Sequence, residues 1–169
     1  MNARIAVVGA GAWGTALAIQ AARAGASVTL WARDPGQLGA DRCMARLPGV
    51  ALPAAVTVTG TLPDAADLVL LAVPMQHLRG IAQRLSPPAP LVACCKGVER
   101  GSFMLPGEIL AALHPGAPHG VLSGPNFAAE VARGLPAASV LACREIDRAQ
   151  AWAGMLSGGA FRVLSLIHI

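Results

Sequence analysis

Short apolar runs alternate with longer stretches of helical periodicity along most of the chain. The runs show little polar alternation, and strands of that kind are buried on both faces of a sheet. Because helical stretches separate them, neighbouring strands are expected to run parallel. The predicted strands are residues 5–8, 27–31, 56–59, 67–73, 91–94, 119–122 and 138–142.

Glycine and proline bound several of the helical stretches. Gly25 predicts the end of the first helix, and Pro35 and Pro74 suit first helical turns. The predicted helices are residues 12–24, 35–47, 74–85, 104–113, 125–133 and 147–156. The proline-rich residues 86–90 are interpreted as a tight connection. The whole pattern predicts an α/β fold, a doubly wound, mostly parallel sheet with helices on both faces.

The composition fits one globular domain. The chain has 169 residues, of which 54% are hydrophobic and 13% charged. This balance excludes intrinsic disorder, which needs low hydrophobicity and high charge. The apolar stretch after Arg4 is interrupted by glycines and Gln20, and no uninterrupted run of about 18 apolar residues follows. The sequence therefore predicts a soluble, cytoplasmic protein without membrane insertion.

Charge and cysteine placement narrow the classes of ligand. The net charge of +4 comes from arginines scattered singly, which gives little support to nucleic-acid binding and suits a small anionic ligand. The four cysteines show no Cys-x-x-Cys spacing, and the histidines complete no zinc pattern. We therefore expect reduced thiols and no metal site.

A glycine-rich loop follows the first predicted strand and opens the first predicted helix. Residues 9–14 read Gly-Ala-Gly-Ala-Trp-Gly, the G-x-G-x-x-G pattern in the context that dinucleotide binding requires. Gly9 permits the tight turn, Gly11 leaves room for a pyrophosphate, and Gly14 lets helix and strand pack closely. The free amides of the helix N-terminus favour the phosphates. The loop predicts a Rossmann-like, nucleotide-binding sheet.

Arg33 and Asp34 follow the second predicted strand, about 20 residues past the glycines. An acidic residue there binds the 2′-hydroxyl of NAD, and an arginine accommodates the 2′-phosphate of NADP. Arg33 lies nearer the strand end, so NADP is favoured over NAD, although NAD stays open. Arg33 as a solvated loop charge is the remaining alternative.

Two further segments lie at predicted strand ends, where ligands of open parallel sheets bind. Lys96 is the only lysine in the chain, and its ammonium suits an oxygen atom near the nicotinamide unless it is an ordinary surface lysine. Residues 123–127 read Ser-Gly-Pro-Asn-Phe, and Pro125 predicts a second helix N-terminus there. That terminus is expected to hold an anionic group or the nicotinamide amide, or else to be a structural cap.

Taken together, these segments resemble the bacterial NAD(P)-dependent glycerol-3-phosphate dehydrogenase family. The glycine loop is shared by many dehydrogenases, whereas Lys-Gly-Val-Glu at 96–99 and Ser-Gly-Pro-x-Phe-Ala at 123–128 are much more specific. The resembling segments are residues 7–18, 28–33, 72–79, 95–99 and 123–136.

The resemblance implies a role for individual residues. Trp13 and Arg33 would contact the dinucleotide, and Lys96 would touch both cofactor and substrate. Substrate-site residues would be Gly124 and Asn126. The cofactor-binding set implied by motif and resemblance together is Gly9, Gly11, Ala12, Trp13, Gly14, Arg33, Lys96 and Ala128. Two positions depart from the family: Ala12 replaces a common serine, and Asn126 stands where serine or threonine is usual.

The resemblance covers the amino-terminal half of the family's chain. It implies a nucleotide-binding domain over residues 1–163, a non-matching tail over 164–169, and a truncation before the all-helical substrate domain. That domain carries the family's catalytic lysine base, so no catalytic residue is assigned here. The fragment alone is expected to be inactive.

The expected function is the reversible, NAD(P)H-dependent reduction of dihydroxyacetone phosphate to sn-glycerol 3-phosphate, which supplies glycerophospholipid synthesis. The expected partner is a small phosphate substrate, and the resemblance allows a homodimer of the full-length form. Two alternatives stay open: a dinucleotide-binding module without turnover, and another dehydrogenase of the same superfamily.

Overall fold

An eight-stranded, mostly parallel sheet forms the centre of the structure, a computed structural model that describes residues 2–85 and 89–167. The strands in chain order are β1 (Arg4–Val8), β2 (Ser27–Trp31), β3 (Cys43–Met44), β4 (Leu47–Ala51), β5 (Val56–Thr59), β6 (Leu68–Leu71), β7 (Leu91–Ala93), β8 (His119–Ser123), β9 (Ala137–Cys143) and β10 (Phe161–Leu166). Their order across the sheet is β10-β9-β8-β7-β6-β1-β2-β5. Strands β3 and β4 form a separate hairpin.

Strand β1 lies inside the sheet and pairs in parallel with β2 and β6. Val8 lies opposite Trp31 on one side and Leu71 on the other. Strands β9 and β10 are the exceptions to the parallel arrangement: β9 runs antiparallel to β8, and β10 pairs in parallel with β9, so both run opposite to the other six strands. The predicted α/β class and mostly parallel sheet are confirmed.

Helices cover both faces of the sheet, as the unbroken apolar strands require. They are α1 (Ala12–Arg23), α2 (Met75–Ala82), α3 (Pro106–Leu113), α4 (Ala128–Arg133) and α5 (Ile146–Leu156). Ile5 and Val7 of β1 pack into one core with α1, α4 and α5. Ala6 and Val8 point the other way, into a core with α2 and α3. Successive side chains of a strand alternate between faces, so both faces of β1 need apolar residues.

Two polar side chains of α1 tie the first of these cores together. The buried Gln20 amide donates to the carbonyl oxygens of Leu156 and Gly158 at 3.1 and 3.0 Å. The Arg23 guanidinium donates to the carbonyl oxygens of Val131 and Ala132 at the end of α4. These bonds reach carbonyl oxygens at or just after the ends of α4 and α5, and so they tie α1 to both helices.

The predicted helix over residues 35–47 is wrong. The segment forms a single 3₁₀ turn at Pro35–Gln37 and then enters the β3–β4 hairpin. Arg42 adopts a left-handed φ of 60°, and its guanidinium donates to the carbonyl oxygens of Leu52, Pro53 and Val56. These partners lie 10 to 14 residues further along the chain, so tertiary contacts override the local helical pattern.

The remaining differences from the predicted elements are smaller. Helix α4 begins at Ala128 rather than at Pro125, so residues 124–127 form a loop. Strand β10 was not predicted, and it continues past Val163, where the sequence suggested a boundary. The predicted connection over residues 86–90 falls largely outside the described residues, because 86–88 are not among them.

Candidate functional site

A cleft of about 910 Å³ opens at the carboxyl ends of β1, β2, β6 and β7. Ligands of doubly wound sheets bind at this edge because the strand order reverses beside β1. The predicted residues that line the cleft are Gly9, Gly11, Ala12, Trp13, Arg33 and Lys96. The fold therefore brings most of the predicted cofactor set together.

The three glycines of the loop have different surroundings. Gly9 has a φ of 115°, and a Cβ there would lie 2.7 Å from the carbonyl oxygen of Ala72. A Cβ on Gly14 would lie 1.8 Å from the carbonyl oxygen of Gly9. Gly11 has nothing within 4 Å of the Cβ position. Gly14 thus allows the close approach of α1 to the end of β1, Gly9 allows the close approach of the loop to the residues after β6, and Gly11 keeps the cleft open.

The N-terminus of α1 opens onto this space. Gly11 occupies the N-cap, no side chain caps the helix, and no acidic residue lies in the first turn. The amides at the start of a helix lack intrahelical acceptors and carry the positive end of the helix dipole. With Gly11, Ala12 and Trp13 at the cleft wall, the arrangement fits a pyrophosphate.

Arg33 and Asp34 both reach the cleft, but they differ in their hydrogen bonds. The Asp34 carboxylate accepts a 3.0 Å hydrogen bond from the Gly36 amide and caps the 3₁₀ turn. Arg33 is exposed and makes no ion pair within the part of the chain that the structure describes. Of this adjacent pair, Asp34 uses one carboxylate oxygen, Oδ1, within the turn, whereas no hydrogen bond is formed by the Arg33 side chain among the described residues.

Lys96 lies beyond the end of β7, and its Nζ donates to the carbonyl oxygen of Gly124 at 2.7 Å. A Cβ on Gly124 would lie 2.7 Å from Asn126 Nδ2 and 2.9 Å from the carbonyl oxygen of Ala138. The Asn126 amide donates to Ser139 Oγ at 2.6 Å. Gly124 and Asn126 therefore form a packed loop beside Lys96.

Four of the predicted site residues do not line the cleft. Gly14 packs behind it, Gly124 contacts Lys96 just after β8, and Asn126 and Ala128 follow in the loop and at the start of α4.

The sequence reasoning missed one side of the cleft. Helix α2 contributes His77, Gly80 and Ile81, at the spacing that places residues on one helix face, and Arg84 follows in the turn just after the helix. Arg46, in the turn between β3 and β4, contributes a further cation. The spacing along α2 was a readable signal, whereas Arg46 was hidden by the mistaken helix over 35–47.

Charge in the cleft is mainly positive. Its titratable lining includes Arg33, Arg46, Arg84 and Lys96 against the single carboxylate of Asp34. Focused positive potential in a cleft attracts anionic ligands. The lining thus matches a ligand that carries several phosphates.

The two thiols in the cleft lie in surroundings that disfavour the reactive thiolate form. Burial raises the pKa of Cys94 and of Cys95 above the ordinary thiol value, so both stay protonated at neutral pH. Within residues 2–85 and 89–167, no group of three or more His, Cys, Asp or Glu side chains could hold a metal ion. In the same ranges, no helix combines the length and the apolar character that crossing a membrane requires.

Known proteins are similar in sequence to this chain. Residues 4–149 match the family described as "NAD-dependent glycerol-3-phosphate dehydrogenase N-terminus". Glycerol-3-phosphate dehydrogenase [NAD(P)+] of Gluconobacter oxydans is 50% identical over 163 residues, which cover 94% of this chain and 50% of that protein. The protein of the same name from Rhodopseudomonas palustris strain BisB5 is 48% identical, covering 94% and 51%.

Solved structures give the same result. Glycerol-3-phosphate dehydrogenase of Coxiella burnetii is 30% identical with a TM-score of 0.88, covering 98% of this chain and 54% of that one. This chain thus spans about half the length of the curated relatives it matches. Because the family match covers most of its residues, the chain belongs to the NAD-dependent glycerol-3-phosphate dehydrogenase family, in that family's amino-terminal part.

Proposed function

We propose that this chain is the dinucleotide-binding part of an enzyme that reduces dihydroxyacetone phosphate to sn-glycerol 3-phosphate with NAD(P)H. The observation that carries the proposal is the open Cβ position of Gly11 at an uncapped helix N-terminus, in the same cleft as Lys96. The relatives named above supply the substrate class.

In this proposal the two ends of the cleft bind the two ends of the cofactor. The amides at the start of α1, beside Ala12 and Trp13, hold the pyrophosphate. Arg33 lies after β2, where the adenosine ribose of a dinucleotide rests in this type of fold. Lys96, after β7, then lies toward the nicotinamide.

Lys96 is proposed to polarise the carbonyl oxygen of the substrate. An ammonium group presents three donors, and one of them is already directed at the carbonyl oxygen of Gly124. The other two are available for ligand oxygens. A bound reduced nicotinamide would supply the hydride. Gly124 and Asn126 are proposed to shape the substrate side of this point, and Ala128 the cofactor side.

NADP is proposed as the preferred cofactor. The Asp34 carboxylate that could bind the 2′-hydroxyl of NAD already uses its Oδ1 to accept from the Gly36 amide. Arg33 and Arg46 both line the cleft and could bind a 2′-phosphate through charge-assisted hydrogen bonds. Sequence and charge therefore favour the phosphorylated cofactor.

The proposed direction is reduction, with the product feeding glycerophospholipid synthesis. The proposed location is the cytoplasm. Its support is that Cys43, Cys94, Cys95 and Cys143 are all free thiols, which is typical of a reducing compartment.

A chimera tests this function. Residues 1–163 are joined to the carboxy-terminal half of the Gluconobacter oxydans relative, and NADPH oxidation is followed with dihydroxyacetone phosphate. The chimera is expected to catalyse this reaction. In the chimera, the Lys96→Met substitution is expected to lower kcat by about 10²-fold or more, because one group that stabilises charge in the transition state is lost. The 169-residue chain alone is expected to bind NADPH without turnover.

Other outcomes distinguish the alternatives. A chimera that binds NADPH but reduces only a different carbonyl compound would favour another dehydrogenase of the superfamily. One that binds NADPH and reduces nothing would favour a binding module.

A further inference from the structure

The segment that follows Lys96 is held onto α2 by side chains. Gln76 contacts it twice: its Nε2 donates to the carbonyl oxygen of Val98 at 3.0 Å, and its Oε1 accepts from the Arg100 amide at 3.0 Å. One side chain thus holds the backbone on both sides of Glu99.

Glu99 itself forms a two-point ion pair with α2. Arg79 donates from Nε to Glu99 Oε1 at 2.9 Å and from Nη2 to Oε2 at 2.7 Å. Ser102 Oγ also donates to this carboxylate. The Glu99 side chain is only 15% exposed and that of Arg79 32%. Paired guanidinium and carboxylate groups of this geometry are among the stronger and more directional polar contacts.

The loop also closes on itself around Glu99. The Glu99 amide donates to the carbonyl oxygen of Met104, and the Phe103 amide donates to the carbonyl oxygen of Glu99. Backbone and side-chain contacts therefore converge on this one residue, three positions after Lys96.

Lys96 depends on such an anchor because of its position. On its amino side the chain is fixed by the sheet, where the Cys94 amide donates to the carbonyl oxygen of Leu71 at 2.9 Å. On its carboxyl side comes Gly97, with a φ of 98° and no neighbour at the Cβ position. Glycine is the residue with the most backbone freedom, so the sheet alone would not hold Lys96 in place.

We propose that Gln76, Arg79 and Glu99 are positioning residues: they clamp the 97–104 loop onto α2 and so hold the Lys96 ammonium at the nicotinamide end of the cleft. Gln76 itself lines the cleft, whereas Arg79 and Glu99 do not, so these two act through Lys96 rather than on a ligand and are the residues that test the clamp. The inference rests on the proposed function in one respect, the placement of Lys96 near the nicotinamide.

A double-mutant cycle with two ligands tests the clamp. The 169-residue chain, Glu99→Gln, Lys96→Met and the double variant are titrated with NADPH and with adenosine 2′,5′-bisphosphate, which lacks the nicotinamide half. Glu99→Gln is expected to lower the affinity for NADPH by about tenfold, the scale of one charge-assisted hydrogen bond. The affinity for the bisphosphate is expected to stay unchanged. In the Lys96→Met background, Glu99→Gln is expected to have no further effect on NADPH.

Two further variants serve as controls for the Glu99→Gln result. Arg79→Met breaks the same pair from the other side and is expected to reproduce the NADPH loss. Asp67→Asn breaks the Arg4–Asp67 ion pair at the amino end of the sheet. It is expected to leave the affinities for NADPH and for the bisphosphate unchanged. Thermal melting of every variant shows which remain folded.

The outcomes separate the clamp from the proposed function. If Lys96→Met leaves NADPH binding unchanged, the placement of Lys96 fails and the clamp with it. If Lys96→Met weakens NADPH but Glu99→Gln and Arg79→Met do not, the clamp alone is overturned. Equal losses for both ligands, or an undiminished effect of Glu99→Gln in the Lys96→Met background, would also overturn it.

Discussion

Lys96 and Gly124 join the ends of two neighbouring strands, β7 and β8, through the 2.7 Å contact between the lysine Nζ and the glycine carbonyl oxygen. A lysine ammonium has three rotatable donors on a flexible stem. The contact with Gly124 removes part of that freedom before any ligand arrives. Preorganised donors of this kind lower the cost of stabilising charge on a reacting oxygen.

Two helical glycines are expected to respond oppositely to the same substitution. Gly14→Ala places a Cβ 1.8 Å from the carbonyl oxygen of Gly9, a backbone atom that cannot move alone. The overpacking cost of about 1–3 kcal/mol or more exceeds the gain in helix propensity of about 1 kcal/mol. Gly154→Ala in α5 meets nothing within 4 Å and is expected to stabilise by about 0.5–1 kcal/mol.

Chemical denaturation of both variants measures these changes in the free energy of unfolding. A Gly14→Ala variant as stable as the parent would show that the close approach of α1 to β1 is not a constraint.

The preference for NADPH over NADH is expected to depend on the arginines that line the cleft. Arg33→Asp is expected to lower the affinity for NADPH about 10–100-fold and the affinity for NADH much less, because only NADPH has the 2′-phosphate. Arg46→Gln is expected to act in the same direction with a smaller effect. Arg144→Gln, at an exposed position that does not line the cleft, is the matched control. Equal losses of NADPH and NADH would remove Arg33 from the ribose site.

The Arg79–Glu99 pair predicts a pH dependence of stability. Hydrogen bonds from Arg79 and Ser102 lower the pKa of Glu99 from about 4.5 to about 2. The folded state thus binds this proton less readily than the unfolded state, so the stabilisation is present above pH 4.5 and is lost as the pH falls toward 2. The gap in urea midpoint between the parent and Glu99→Gln is expected to close across that window. A gap that stays constant down to pH 2 would contradict the ion pair.

The sequence predicted the sheet well because its strands are buried on both faces. Ile5 to Val8 need apolar neighbours on both sides, and a parallel sheet with helices on both faces provides them. The glycine loop was predictable for a related reason: Gly9 and Gly14 have no room for a side chain. At such positions the lack of space requires glycine, so the glycine pattern in the sequence indicates the close packing.

The missed features depend on contacts between distant residues. The β3–β4 hairpin is held by Arg42, whose carbonyl partners lie beyond the hairpin itself. Arg46 enters the cleft only because this hairpin forms. Likewise, the sequence singled out Lys96 without its anchor, since the pairing of Arg79 with Glu99 spans 20 residues and no local pattern marks it.

The central claim, that the Gly11 cleft binds a dinucleotide, is tested most directly by titrating the 169-residue chain and its Gly11→Val variant with NADPH while following tryptophan fluorescence. Trp13 and Trp31 line the cleft and report on its occupation. Nothing lies within 4 Å of the Gly11 Cβ position, so the variant is expected to remain folded, while its valine occupies the space of the pyrophosphate. We predict saturable binding of NADPH to the parent and none to the folded variant. Equal binding to both, or no binding to a folded parent, would contradict it.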